Sequence, residues 1–169
     1  PFLPFIGEEL IIVTHPDFLG EANTLADWKR EKGITTRVVK TGPATEGGIG
    51  TTRQEIKDYL QGRYDSTIIR FSYVLLLGDA EFIPPWYRNS SGSNTTGTDL
   101  DYSLLAGNDL LPDVGLARIP VDTAEQAETV VGKIIGYEKN PPLFATEFYD
   151  TASFPAYFQC CRTDVTQNG

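Results

Sequence analysis

Tyr73-Val74-Leu75-Leu76-Leu77-Gly78-Asp79 is the stretch on which the reading of this chain turns. It is an apolar run of strand length, closed by a glycine and an acid. Successive side chains of a strand point to opposite faces of the sheet. A run apolar at every position therefore belongs to a sheet covered on both sides, as parallel sheets are.

Working outward, Glu8 to Thr14 reads as a second buried strand, bounded by Gly7 and by His15-Pro16. A helix is expected from Asp17, as N-cap, to Lys32, with Phe18, Ala22, Leu25 and Trp28 at helical spacing and Gly33 in the closing turn. Ile34 to Val39 is a β-branched strand, followed by a Gly-rich loop from Thr41 to Gly50. Thr52 and Glu55 form a capping box that opens a helix with Ile56, Tyr59 and Leu60 on its apolar face.

Beyond Asp79 the text from Ala80 to Asp113 is mostly loop-like, with short strands expected at Tyr102 to Leu105 and at Val114 to Ile119. Thr123 and Gln126 open a third helix carrying Ala127, Val130, Val131, Ile134 and Ile135 on one stripe, and Asn140-Pro141-Pro142 ends it. Phe148 to Phe154 reads as a last strand. The order implies an α/β fold: a mostly parallel sheet with helices on both faces, joined by right-handed crossovers.

Composition narrows the function classes. The chain has 169 residues, 40% hydrophobic and 22% charged, as in an ordinary globular domain rather than a disordered one. The net charge of -9, without a basic block, excludes a nucleic-acid partner, because a phosphate backbone would be repelled. No apolar run is long enough to span a bilayer. The start at Pro1 without methionine and the polar stop at Gln167-Asn168-Gly169 read as cut ends of a longer protein. Cys160 and Cys161 are adjacent and decide little about redox compartment.

Open α/β sheets bind ligands at the carboxyl ends of their strands. His15, the only histidine, stands at such an end, but nothing in the spacing brings a thiol to it, so a surface turn residue is the favoured reading over a catalytic dyad. Asp79 stands at another, yet phospho-acceptor chemistry also needs acids after the first strand, where Thr14-His15 lie. Asp79, Asp99, Asp101 and Asp109 are candidate oxygen ligands for a structural calcium ion, weighed against the simpler reading of solvated turn caps. No cofactor is otherwise required. The Gly42 to Gly50 loop lacks a phosphate-binding pattern.

Taken together, several segments resemble the gingipain family of cysteine endopeptidases. Tyr73 to Pro84 is similar to that family's central strand and following loop, and Thr98-Asp99-Leu100-Asp101-Tyr102 to its next element. Ala106 to Asp109 is similar to the turn after it, and Gly115 to Pro120 to a strand leading into a helix that ends at Tyr137 to Asn140. Ala26 to Gly33 and Glu55 to Leu60 resemble the family's first two helices. The likeness runs from about Glu8 to Phe154. It departs at Leu116-Ala117, before Arg118, where the family more often has a glycine, and in a longer Asn89 to Thr98 loop.

The resemblance implies the first subdomain of a caspase-like catalytic domain, a three-layer, flavodoxin-like arrangement over residues 1–154, with 155–169 opening the next segment. In the family the catalytic histidine precedes a glycine and the nucleophilic cysteine follows farther on. No His-Gly pair exists here, so no catalytic residue is carried over. The expected protein is a non-catalytic piece of a secreted or cell-surface peptidase, inactive alone. Its partners would be the second catalytic subdomain of the same polypeptide and the protein substrates of the complete enzyme. A half-domain of this kind would leave a sheet edge open and self-associate. The rival readings are a non-enzymatic extracellular interaction module and a flavin-binding domain.

Overall fold

The central sheet is built from β1 (Leu10–Thr14), β2 (Thr36–Lys40), β3 (Tyr73–Leu77) and β6 (Gly115–Ile119) in the order β2-β1-β3-β6, all parallel. The computed structural model describes residues 7–89, 95–144 and 146–152. Helix α1 (Leu19–Glu31) follows β1, α2 (Arg53–Ser66) follows β2, and α3 (Ala124–Lys139) follows β6. Between β3 and β6 lies an antiparallel hairpin of β4 (Trp86–Asn89) and β5 (Thr95–Thr98), and a short α4 (Thr146–Asp150) follows α3.

The alternation along β3 explains the three layers. Val74 and Leu76 join Ile11, Val13, Ile56 and Leu60 in a core under α2. Leu75 and Leu77 face Leu10, Ile12, Leu25 and Val131 under α1 and α3. Ile56 and Leu60 are fully buried one turn apart, and each contributes on the order of 1.5–3 kcal/mol by leaving water. The doubly covered, parallel sheet expected from the sequence is present.

The ends of the elements show where local chemistry decided. The Thr52–Glu55 capping box forms as expected, the threonine hydroxyl accepting from the Glu55 N–H and the glutamate from the Thr52 N–H. Gly33, at φ 86°, turns the chain out of α1 in a conformation that side-chain-bearing residues avoid. At α3 the Thr123 hydroxyl accepts from Gln126 N–H, but Gln126 reaches back to Asp122 rather than to Thr123.

Four expectations need correction. Asp17 does not cap α1: His15 caps a 3-10 turn, Pro16–Phe18, which leads into the helix one turn later. Residues 102–105 are not a strand, because Leu100–Ser103 is a 3-10 turn that drives the Tyr102 ring into the core. The supposed loop from Ala80 contains the β4–β5 hairpin. Phe148–Asp150 lies in α4, not in a strand, residues 151–152 have no regular structure, and 153–154 lie outside the described residues.

The last turn of α3 is clasped to the end of α1 through one carboxylate. Glu138 accepts from Trp28 Nε1 at 2.8 Å, from Lys29 Nζ at 2.6 Å and from Lys32 Nζ at 2.8 Å. Partial burial would raise its pKa, but the bonds from Lys29, Lys32 and Trp28 outweigh this and bring it from 4.5 to about 2. A carboxyl depressed in the folded state stabilises above its unfolded pKa and stops doing so as pH falls through the folded value. Glu138→Gln is expected to cost about 1–2 kcal/mol at pH 7. The gap to the parent should narrow as urea melts are repeated from pH 4.5 down toward 2. A gap independent of pH would mean that packing, not charge, holds the clasp.

Candidate functional site at the carboxyl end of the sheet

At the carboxyl ends of β3 and β6 the chain is organised around Arg118. Its Nη1 donates to the Gly78 carbonyl at 2.8 Å and its Nη2 to the Ile83 carbonyl at 3.0 Å. Nε and Nη2 also grip the two Asp99 oxygens at 2.8 and 2.7 Å, a forked pair. The side chain is 13% exposed. One guanidinium thus ties the end of β3, the loop after it and the segment beyond β5 to the edge strand. Gly78 itself has φ 138°, and a Cβ there would sit 3.2 Å from that of Phe82.

Around this clamp the other candidates find separate partners. Thr14 is fully buried, its hydroxyl donating to the Leu77 carbonyl at 3.3 Å. His15 Nδ1 accepts from the Asp17 N–H at 3.3 Å, and the ring packs on Phe82 with centroids 4.8 Å apart. Asp79 donates its backbone N–H to the Val121 carbonyl, and its own carbonyl accepts from Phe82 and Ile83, a turn held by main chain. Asp101 accepts from Arg88 Nη2 at 2.7 Å, and Asp109 accepts from the Leu111 N–H at 2.9 Å.

Of the four candidate aspartates, Asp99 and Asp101 face the guanidinium groups of Arg118 and Arg88. Among the described residues no group of three or more His, Cys, Asp or Glu side chains is placed to hold a metal ion. The loop Thr41 to Thr51 carries a 3-10 turn and a Gly42–Gly50 bridge, and borders a cleft of about 270 Å³ lined by His15, Lys40, Glu46 and Thr51. Cys160 and Cys161 lie outside the described residues.

Sequence reasoning named Arg118 only within the resemblance and did not see its role. It missed Asp113 as well. That carboxylate accepts from the Ala106 and Leu105 N–H groups, which hold its pKa below the usual range and close the loop ahead of β6. Tyr102 is fully buried and donates to the Pro84 carbonyl at 2.6 Å, while burial pushes its pKa well above the ordinary tyrosine value. What the arrangement does chemically is fix loops. The His15 ring nitrogen Nδ1 is engaged by the Asp17 N–H, within its own turn.

The parallel sheet with helices on both faces is a three-layer α/β scaffold. The chain belongs to peptidase family C25, whose model matches residues 6–156. It is 26% identical over 133 residues to gingipain R2 of Porphyromonas gingivalis, a match covering 78% of this chain and 17% of that protein. It is 29% identical over 143 residues to an uncharacterized protein of Archaeoglobus fulgidus, covering 76% of this chain and 34% of the relative. The crystal structure of the Arg-specific cysteine proteinase gingipain R superposes with a TM-score of 0.64 at 24% identity, over 80% of this chain and 30% of that one. The gingipain-like character expected from the sequence is thereby established. The chain spans about a third or less of the length of each of these relatives.

Proposed function

We propose that this chain is the scaffold-forming first subdomain of a secreted gingipain-like cysteine endopeptidase, residues 1–154, with 155–169 opening the next segment, and that it cuts nothing by itself. The observation that carries this reading is the use made of the carboxyl end of the sheet. The place where an α/β enzyme keeps its reacting groups is given to Arg118, which holds Gly78, Ile83 and Asp99 in fixed positions. The histidine and cysteine of the reaction are then supplied by the second catalytic subdomain of the same polypeptide. There a thiolate activated by the histidine would form an acyl-enzyme that water hydrolyses.

Two further observations support the reading. Among the described residues no strand pairs with the outer side of β6, so the sheet offers an edge on which a neighbouring unit can build. No described helix is long and apolar enough to cross a membrane, in keeping with an extracellular peptidase. Protein substrates would be met by the complete enzyme rather than by this face.

The test is a peptidase assay on this chain with mixed peptide substrates and reductant, with calcium present or chelated. No turnover is expected in either condition, before or after alkylation of Cys160 and Cys161. Turnover that alkylation abolishes, and that a His15→Ala variant loses, would overturn the scaffold reading. A rise in melting temperature with calcium would support an ion site among Asp79, Asp99, Asp101 and Asp109.

A further inference from the structure

The cleft of about 270 Å³ at the carboxyl ends of β1 and β2 is bordered by His15, Lys40, Thr41, Glu46, Gly48 and Thr51 among others. Its position follows from the topology. The chain leaving β1 passes to α1 on one face of the sheet, and the chain leaving β2 passes to α2 on the other. Connections that diverge in this way leave a crevice outside the carboxyl ends of their strands, where open α/β sheets take their ligands. The Arg118 clamp lies on the opposite side of β1, over β3 and β6.

One wall of the cleft is a loop fixed by its own backbone. Gly42 N–H donates to the Gly50 carbonyl at 2.9 Å, Gly50 N–H to the Gly42 carbonyl at 2.8 Å, and Gly48 N–H to the Pro43 carbonyl at 3.0 Å. Gly48 lies so close to the start of the loop that an added Cβ would sit 2.3 Å from the Gly42 carbonyl oxygen. Glu55 holds the exit, accepting from the Thr51 and Thr52 N–H groups. A wall pinned at both ends is pre-organised, which lowers the cost of binding.

The chemistry of the walls selects the ligand. Thr41 is 3% exposed and gives its N–H to the Thr14 carbonyl, but its hydroxyl has no hydrogen-bond partner among the described residues. A buried polar group without a partner is destabilising, and a polar atom in the cleft would relieve it. His15 Nδ1 accepts from the Asp17 N–H, so the neutral ring carries its proton on Nε2. Lys40 brings a positive charge and Glu46 a negative one, and neither side chain has an ion partner among the described residues. The donors and the cation thus sit on the strand ends and the carboxylate sits on the loop. A simple anion would meet Glu46 and the chain's net charge of -9, and a simple cation would meet Lys40. A molecule carrying both charges meets neither objection. Ligand pockets commonly run from about 300 to 1,000 Å³, so a cleft of this size takes a small one.

We propose that the cleft between β1 and β2 binds a small zwitterion of amino-acid to dipeptide size, its carboxylate held by Lys40 and the Thr41 hydroxyl and its ammonium by Glu46. The site is separate from the Arg118 clamp and does not depend on the scaffold reading.

The experiment is calorimetric titration of the 169-residue chain with alanyl-alanine, with its N-acetyl form and with its C-terminal amide. The free dipeptide is expected to bind saturably, and blocking either end is expected to weaken it at least tenfold. Lys40→Gln and Glu46→Gln are each expected to weaken the free dipeptide to the same degree. Both variants should melt with the parent, so that lost affinity is not lost structure. Thr41→Val, which keeps the shape and drops the hydroxyl, is expected to lose affinity without losing stability. No saturable binding of the free dipeptide overturns the proposal. So does equal binding of the N-acetyl form, which would make the cleft a plain anion site. Affinity unmoved in both charge variants overturns it too, since the dipeptide would then lie elsewhere. The peptidase assay on the same preparation keeps the two ideas apart: turnover would sink the scaffold reading and leave the titration standing.

Discussion

Arg118→Ala is expected to lower the free energy of unfolding by about 3 kcal/mol, the lower end of what breaking a buried ion pair costs. Four hydrogen bonds are lost with the side chain. Removing the guanidinium strands the Asp99 carboxylate, itself 26% exposed, and strips the Gly78 and Ile83 carbonyls of their donor. Partial exposure lets water reach the carboxylate, so the upper end of the range is not expected. Arg118→Lys should fall between. An ammonium is a point donor and cannot hold an aspartate in a fork while also bonding two carbonyls on separate segments. Urea denaturation of the three proteins gives the order directly, and hydrogen exchange should show the loop from Asp79 to Ser103 loosening first. Alanine and parent within about 0.5 kcal/mol, the scatter of ordinary surface changes, would mean that the clamp is ornamental.

That clamp also shows what a sequence can and cannot reveal. β3 was legible because five apolar residues allow one reading, and the structure places them as drawn, Tyr73–Leu77. The α2 start was legible because a capping box is local chemistry between residues three apart. The β4–β5 hairpin was not. Trp86-Tyr87-Arg88-Asn89 is short and follows two prolines, and its place is set by Trp86 packing on the core under α2. Tyr102 suggested a strand through its β-propensity, which tertiary context overrode when the core took the ring and the Pro84 carbonyl accepted a hydrogen bond from its hydroxyl. Arg118 and Asp99 lie 19 residues apart on either side of a loop. No periodicity links them, and only the folded sheet makes them neighbours.

Glu8→Ala is the second change expected to cost about 3 kcal/mol, for a related reason at the opposite end of the sheet. Glu8 is 6% exposed and stands just before β1. Its Oε1 accepts from Arg37 Nε and Arg63 Nε, both at 3.0 Å, and its Oε2 from Arg63 Nη2 at 2.8 Å. One carboxylate thus ties the entry of β1 to β2 and to α2. Burial alone would push its pKa up, but the Arg63 bond and the two positive charges outweigh it and hold it below 4.5. By linkage, the contribution is complete above pH 4.5 and fades as acid protonates the group. Glu8→Ala should therefore differ most from the parent near neutrality and least in acid. A second variant separates charge pairing from fit. Replacing Glu8, Arg37 and Arg63 together by Met, Leu and Met removes the attraction and the desolvation cost at once, and buried ion triads exchanged this way commonly lose nothing. If the triple variant melts with the parent while Glu8→Ala does not, the single loss is the penalty of leaving two arginines without their carboxylate. If the triple variant is as weak as Glu8→Ala, the bidentate geometry itself supports the strand entry, and the triad is a net source of stability.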